Sequence, residues 1–340
     1  MTGRLPPISV LITGVGDTVG QAMIKAARAS AIPCRVVGTD RTAPSVGFAW
    51  ADAAYVLPHC SDEDAYLAGL LRVVADEAVR LILPGSESEL ALLARHRAAL
   101  EGATGARVVA SSVEVLEIAL DKWETCRFLE RAGLRFPRYA RLDAPAEVDA
   151  LVADVGFPLV AKPRRGTGSR GLARVASWKD LDHLRDTAVN VVLEETLEPA
   201  DQEYSVGVYV PRDGRPVDVI AYRRDQMVAG DTYRARIARH AAAEAEARRI
   251  AEALRPRGPC DVQLRVTGRG PVTFEINARC AGGAAIRAHH GYNEVEMAIR
   301  DLVLEEPLAH RQLSSGTVVR YWEEMYFADR EGNARDGTAP

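Results

Sequence analysis

From Ile8 to about Ala110 the sequence alternates short, apolar, β-branched runs with longer helix-forming ones. ISVLIT is followed by TVGQAMIKAARAS, RVVGT, AYLAGLLRVVADEA, RLILP, ELALLARHRAALEG and ARVVAS. Strands separated by helices of this length pair in parallel, because each connection must travel back along the sheet and so covers a face of it. The run therefore predicts a small Rossmann-like domain. VEVLEIALDKWETCRFLERAGL has apolar residues at three and four spacings and reads as one long helix, ended by Gly133 and followed by Pro137. Beyond it PLVAKP, LARVAS, NVVLEE, EYSVGVYV, VDVIAYRR, CDVQLRV and VTFEINA are strands joined by turns, with two clear helices, SWKDLDHLRDTA and HAAAEAEARRIAEALR. That shift predicts an α+β domain on antiparallel sheet. The closing ADREGNARDGTAP is polar and aperiodic, and reads as a disordered tail.

A length of 340 residues gives room for two or three domains. Lys and Arg total 43 against 47 for Asp and Glu, so no basic face for nucleic acid is expected. The five cysteines are scattered, without a CxxC pair or a histidine at zinc spacing, and read as small core residues in a reducing cytosol. The N-terminal apolar run is too short for a signal peptide, and no later run reaches the roughly 18 residues of a membrane helix. A soluble, cytoplasmic protein without a membrane partner is expected.

LITGVGDTVG, Leu11 to Gly20, enters a glycine turn from a strand and leaves it into a helix, as a dinucleotide site does. Asp40, at the end of the second apolar run, stands where the ribose-binding acid of such a site belongs. The glycines, however, are spaced GxGxxxG, one residue too long. Two readings stay open here: an NAD site, or a glycine turn that only starts a helix.

Downstream, PLVAKPRRGTGSRGLARV places Lys162 at a strand end ahead of a loop with Gly166, Gly168, Ser169 and Gly171. Backbone N–H groups of such a loop can wrap phosphates while the lysine supplies a point charge; a plain hairpin with a solvated lysine is the alternative. In VTFEINAR, strand alternation puts Glu275, Asn277 and Arg279 on one face and sends Phe274, Ile276 and Ala278 to the core. With Gln263 of the preceding strand they form an oxygen-rich cluster suited to Mg²⁺ and phosphate, or else a cross-strand ion pair in solvent. In VVLEETLEPADQEYSV the strand crossover offers backbone groups to an adenine edge and a carboxylate to a ribose hydroxyl.

The order of LDKWETCRFLERAGLRFP, LVAKP with its glycine loop, LEETL with QEYSV, DVQL and FEINARCAGG resembles the ATP-grasp superfamily. The branch is that of the carbamoyl phosphate synthetase large chain and the carboxylate–amine ligases, and the resemblance runs from about Ile8 to Tyr321. It implies a Rossmann-like pre-ATP-grasp domain over 1–112, an ATP-grasp domain over 113–325 with a lid subdomain at about 124–195, and a tail at 326–340. It implies phosphate-binding roles for Lys122 and Lys162, with Gly166, Gly168 and Ser169 in the lid. Glu194, Glu195 and Leu197 match the adenine hinge and Glu203 the ribose acid. Glu275, Asn277 and, in some members, Gln263 match ligands of Mg²⁺, with two ions expected. Arg279 matches the arginine that steadies the transferred phosphoryl group. Gly282, Gly283 and Arg287 fall on the acceptor side.

Ser86 and Glu87, at the end of a parallel strand, are further acceptor-side candidates, or a helix cap with an acid in its first turn. The activity implied is ATP-dependent activation of a small carboxylate, an amino acid or peptide, as an acyl phosphate that an amine then attacks. The lid at Arg164 to Gly171 is expected to close first. Arg223, Arg234, Arg236 and Arg287 suggest anionic substrates, and His289 or His290 is a candidate base. An NAD-dependent oxidoreductase and a non-catalytic ATP-binding regulator remain as alternatives, and a homodimer stays open.

Overall fold

The computed structural model describes residues 6–166, 168 and 170–327. Ser169 and residues 328–340 of the expected tail therefore lie outside the described residues. Strands β1 (Ile8–Ile12), β2 (Cys34–Asp40), β3 (Ala53–Val56), β4 (Leu81–Leu83) and β5 (Arg107–Val108) form a parallel sheet in the order β3-β2-β1-β4-β5. All five residues of β1 are buried, as befits a strand covered on both faces. Helices α1 (Thr18–Arg28), α2 (Glu63–Asp76) and α3 (Glu87–Thr104) supply that cover, each started by a capping side chain, from Asp17, Asp62 and Ser86.

Strand order reverses between β1 and β4, the point at which open α/β sheets leave a crevice. The loops there are in backbone contact: a Cβ on Gly85 would lie 2.0 Å from the Thr13 carbonyl oxygen, and one on Gly20 2.3 Å from that of Gly14. Asp40 does not point outward as a ribose-binding acid would. Its carboxylate accepts from the Gly16 N–H at 2.7 Å and from Ser45 Oγ at 3.0 Å, so it caps the glycine turn from within.

The helix expected over 113–134 is two, α4 (Val113–Ala119) and α5 (Lys122–Arg131). Asp121 causes the break: its carboxylate accepts from the N–H groups of Trp123 and Glu124 and starts a new helix. A second sheet follows, β6 (Tyr139–Arg141), β7 (Leu159–Pro163), β8 (Ala173–Val175) and β9 (Val191–Glu195), antiparallel in the order β6-β9-β7-β8. Helices α6 (Pro145–Val155) and α7 (Trp178–Thr187) cover it. The sequence reading recognised α7 and overlooked α6, although Pro145 at its first turn is a standard start.

The third sheet has six strands: β10 (Glu203–Val210), β11 (Val219–Val228), β12 (Asp231–Ile237), β13 (Gly258–Thr267), β14 (Gly270–Asn277) and β15 (Gly316–Val319). Its order is β14-β13-β10-β11-β12-β15, antiparallel throughout. Direct pairing of Ser205 with Gln263 and Tyr222, and of Gln263 with Glu275, puts these four on one face. The opposite face, with Val206, Ala221, Val262 and Ile276, packs on α5 and on α8 (Ala241–Leu254). Tyr209, Ile220, Tyr222 and Ile237, on the first face, share a core with Val10, Ile12 and Leu83 of the parallel sheet and Met23 of α1. Helices α9 (Ala284–His289) and α10 (Glu294–Ala298) fill that junction. One face of the large sheet is thus half docked on the first domain and half open to a polar cleft. Among the described residues no helix is long and apolar enough to cross a membrane.

Gly20→Ala should lower stability by about 1–3 kcal/mol, since its methyl meets backbone that cannot swing away. Gly102→Ala, inside α3 with nothing within 4 Å, should raise it by roughly 0.5–1 kcal/mol. Denaturant midpoints of the two variants check this, and equal shifts would refute the packing account.

Candidate active site

Lys162, on β7, is buried beside Glu194 on β9, and its Nζ donates to Glu194 Oε2 at 2.6 Å. The same Nζ lies 4.9 Å from the centre of the Phe274 ring on β14. The second and third sheets therefore meet at this lysine. Phe274 was expected to face the core by strict alternation, and it does not. Gln263 pairs with Glu275 while Leu264 pairs with Thr273, so Phe274 is the extra residue of a β-bulge that breaks the alternation. It stands half-buried between Lys162 and Arg265. Ile276 and Ala278 are buried in the core as expected.

Glu275, Asn277 and Gln263 come together on the open half of the large sheet. Glu275 Oε1 accepts from Asn277 Nδ2 at 2.9 Å and from Gln263 Nε2 at 3.3 Å. Beside them is a residue the sequence reading missed. Arg224 is buried, and its Nη1 donates to Glu203 Oε1 and to Gln263 Oε1, both at 2.8 Å. Glu203 also takes a bond from Arg265 on its other oxygen, so this carboxylate is bonded on both oxygens. Arg224 was legible in principle: it lies two residues from Tyr222 in an apolar strand, an inward position where an arginine needs a partner.

At the edge of the cleft Lys122 opens α5 and donates to the carbonyl oxygen of Gly166 at 2.9 Å. Gly166 and Gly168 both take positive φ, 134° and 65°. Arg164 is bonded to Asp121 at 2.8 Å, which neutralises it. Glu195 receives the Arg138 N–H at 2.8 Å and the Arg269 guanidinium, and the Leu197 carbonyl receives Arg265 at 2.7 Å.

The first domain closes the other end. Arg279 Nη2 donates to Glu87 Oε1 at 3.0 Å across 192 positions of sequence. Ser86 is the N-cap of α3, accepting from the Glu89 N–H and donating to its carboxylate at 2.6 Å. A Cβ on Gly282 would lie 3.1 Å from Thr18 Cγ2, and one on Gly283 2.3 Å from the Tyr222 hydroxyl. Thr18 Oγ1 also donates to Asp231 of β12 at 3.0 Å. The start of α1, next to the glycine turn, thus abuts the Gly282–Gly283 loop.

Two expectations need correction. Arg287 is fully buried, bonded to Asp261 at 2.9 Å and paired with Glu294 at 3.0 Å. Burial opposes its charge, but these two carboxylates outweigh it and hold the guanidinium above its ordinary pKa. It supports the site from beneath and does not line it. Arg223, Arg234 and Arg236 lie on the opposite face of the large sheet, because Arg223 pairs in register with Tyr204 rather than with Ser205, Arg236 pairs with Arg223, and Arg234 is two residues from Arg236. They line a separate hollow of about 370 Å³ with Asp201 and Asp225. His290 is buried and bonded to Ser314 Oγ at 2.9 Å; burial, then His289, lowers its pKa.

The PylC-like N-terminal domain family matches residues 10–109, and the family described as ATP-grasp in the biosynthetic pathway with Ter operon matches residues 187–325. A D-alanine–D-alanine ligase of Cupriavidus taiwanensis is 40% identical over 96 residues, 27% of this chain and 28% of that protein. A formate-dependent phosphoribosylglycinamide formyltransferase of Synechococcus is 29% identical over 201 residues, 56% of this chain and 48% of that protein. The matched segments thus span less than half the length of these relatives. The crystal structure of N5-carboxyaminoimidazole synthetase from Staphylococcus aureus complexed with ADP superimposes with a TM-score of 0.72 at 16% identity, covering 94% of this chain and 83% of that one. With its parallel-sheet first domain and two antiparallel sheets closing on one lysine, the chain carries a PylC-like N-terminal domain over residues 10–109 and an ATP-grasp domain that the family model matches over residues 187–325.

Proposed function

We propose that the protein is an ATP-dependent carboxylate–amine ligase acting on a small molecule, an amino acid or peptide. The observation that carries this reading is what the segment Phe274–Arg279 places along the cleft between the second sheet and the first domain. The Phe274 ring lies under Lys162, Glu275 is bonded to Asn277, and Arg279 is paired with Glu87 of the first domain. In the first step a carboxylate oxygen of the acceptor attacks the γ-phosphorus of ATP, and the bond to the ADP oxygen breaks. In the second, the amine nitrogen attacks the acyl carbon, phosphate leaves, and the amine gives up a proton to phosphate or solvent. Such transfers depend on positioning and charge neutralisation more than on covalent catalysis.

Lys162 and Lys122, with the backbone at Gly166 and Gly168, would hold the polyphosphate, and the Glu194–Leu197 hinge the adenine. Glu203 is the proposed ribose acid; since Arg224 and Arg265 hold both its oxygens, a ribose hydroxyl would have to share them. Glu275 and Asn277 fit Mg²⁺, a hard cation that takes oxygen donors, retains waters and shares itself with phosphates. The ion would neutralise phosphate charge and orient the nucleotide. Arg279 faces the transferred group, and Glu87, with Gly282 and Gly283, sits where acceptor and amine would meet. Because Asp40 caps the glycine turn, the first domain serves the acceptor pocket in this reading rather than a dinucleotide. The proposed units are 1–112 and 113–325, and the proposed location is the cytoplasm.

Glu275→Gln should lower turnover about 10²-fold or more and leave the unfolding midpoint within about 0.5 kcal/mol of wild type, as the residue is half-exposed. Wild-type turnover at saturating Mg²⁺ would exclude this metal assignment. Lys162→Ala alone would leave Glu194 buried and unpaired, at a cost of about 3–5 kcal/mol. The Lys162→Met/Glu194→Gln double variant should therefore fold better than the single one and still lose ATP affinity, measured by calorimetry. Retained affinity would remove Lys162 from the phosphate site. ADP release screened against carboxylates and amines, singly and in pairs, should show a pair dependence. For the productive pair Glu87→Gln should raise an acceptor KM about tenfold, the loss of roughly 1.4 kcal/mol of charge-assisted bonding, without changing that for ATP.

A further inference from the structure

Arg224 settles how the polar face of the large sheet can meet a cation. Its guanidinium is bonded through Nη1 to Glu203 Oε1 and Gln263 Oε1, through Nε to Thr232 Oγ1 at 3.0 Å, and through Nη2 to the Gly230 carbonyl at 2.5 Å. Arginine has only donors to offer. Gln263 must therefore turn its amide oxygen to Arg224, and its NH₂ then points at Glu275 Oε1 and, at 3.5 Å, Asp261 Oδ2. The reversed amide would set NH₂ against guanidinium, donor against donor. The amide oxygen of Gln263 is thus committed to Arg224, whereas Asn277, whose NH₂ also reaches Glu275, has no hydrogen bond to Oδ1 among the described residues and keeps it for a cation.

Charge on this face agrees. Glu203 is bonded to Arg224 and Arg265, and Asp261 to Arg287. Among the described residues Glu275 is bonded only to amide groups, those of Gln263 and Asn277. No group of three or more His, Cys, Asp or Glu side chains that could hold a metal occurs among them. One carboxylate therefore remains for a divalent ion, and a second ion at Gln263 Oε1 would share that oxygen with a buried guanidinium.

We infer that the protein takes up a single divalent cation with its nucleotide, at Glu275 and Asn277, and that Arg224 stands as a built-in cation where a second ion is expected from Gln263. This rests on the nucleotide-binding reading above. Arg224 is a positioning residue: it acts through Gln263 and Glu203. Its bonds to Gly230 and Thr232 also tie the metal-facing strand to the β11–β12 turn, whose Asp231 bonds Thr18 of the first domain.

The test counts Mn²⁺ by electron paramagnetic resonance on the full chain with a non-hydrolysable ATP analogue, nucleotide occupancy being measured in parallel by calorimetry. One Mn²⁺ per bound nucleotide is expected, with affinity weakened at least tenfold in Glu275→Gln. Two Mn²⁺ per bound nucleotide in the wild type would overturn the inference and leave the ligase reading intact, whereas no nucleotide binding would overturn both. Arg224→Met, checked for folding by circular dichroism, should bind two; a folded variant that still binds one would remove Arg224 as the cause. If that variant does not fold, the wild-type count decides alone.

Discussion

The guanidinium of Arg287, sealed from solvent between Asp261 and Glu294, is the contact on which the arrangement of the site depends. Asp261 lies on β13 and pairs in register with Asn277, so the anchor is one side chain away from the proposed metal strand. Glu294 opens α10, whose Asn293 cap donates to the Ala26 carbonyl of α1 at 2.7 Å and whose Glu296 accepts from the Ala31 N–H at 2.9 Å. A single buried arginine thereby couples the large sheet to the first domain. Gly207 is shaped to it, since a Cβ there would lie 2.6 Å from Arg287 Cδ. Removing either partner of such a buried pair leaves an uncompensated charge, costing about 3–5 kcal/mol, so the anchor tolerates little change.

Around this anchor the large sheet divides its work by face and by position. The half near α9 and α10 is apolar and continues the core of the parallel sheet. The half at β13 and β14 is polar, and its carboxylates are mostly matched by arginines. A buried carboxylate without a partner would protonate or draw in water, so each partnership also decides which oxygen remains for a ligand. Phe274 contributes in the same way. By bulging out of the strand it puts an aromatic face under Lys162 and Arg265, where a regular strand would have buried it.

The first domain is bound to this chemistry by few but directed contacts. Arg279 reaches Glu87 and Thr18 reaches Asp231, both at the carboxyl ends of parallel strands, where loops rather than strands set the shape of a site. The glycine turn, which resembles a dinucleotide site in sequence, has its inner N–H taken by Asp40.

Sequence alone determined the elements whose signal is local. Periodicity distinguished the parallel sheet from the antiparallel ones, and the spacing of Lys162, Glu275, Asn277 and Arg279 resembled a single family, because strands alternate with period two and glycine loops are punctuated by residue type. Short-range competition already blurred this: Asp121 split a helix, Pro145 began one that was overlooked, and a bulge reversed Phe274. What only the tertiary structure decided is which charges meet. Arg287 looked like a ligand for an anion and is a buried strut, Arg223, Arg234 and Arg236 fell on the far face, and Arg224 entered the site unannounced. Arginines are alike in sequence, and a guanidinium's role is set by which carboxylate the fold brings within about 3 Å, a distance that depends on register and on contacts tens to hundreds of residues apart.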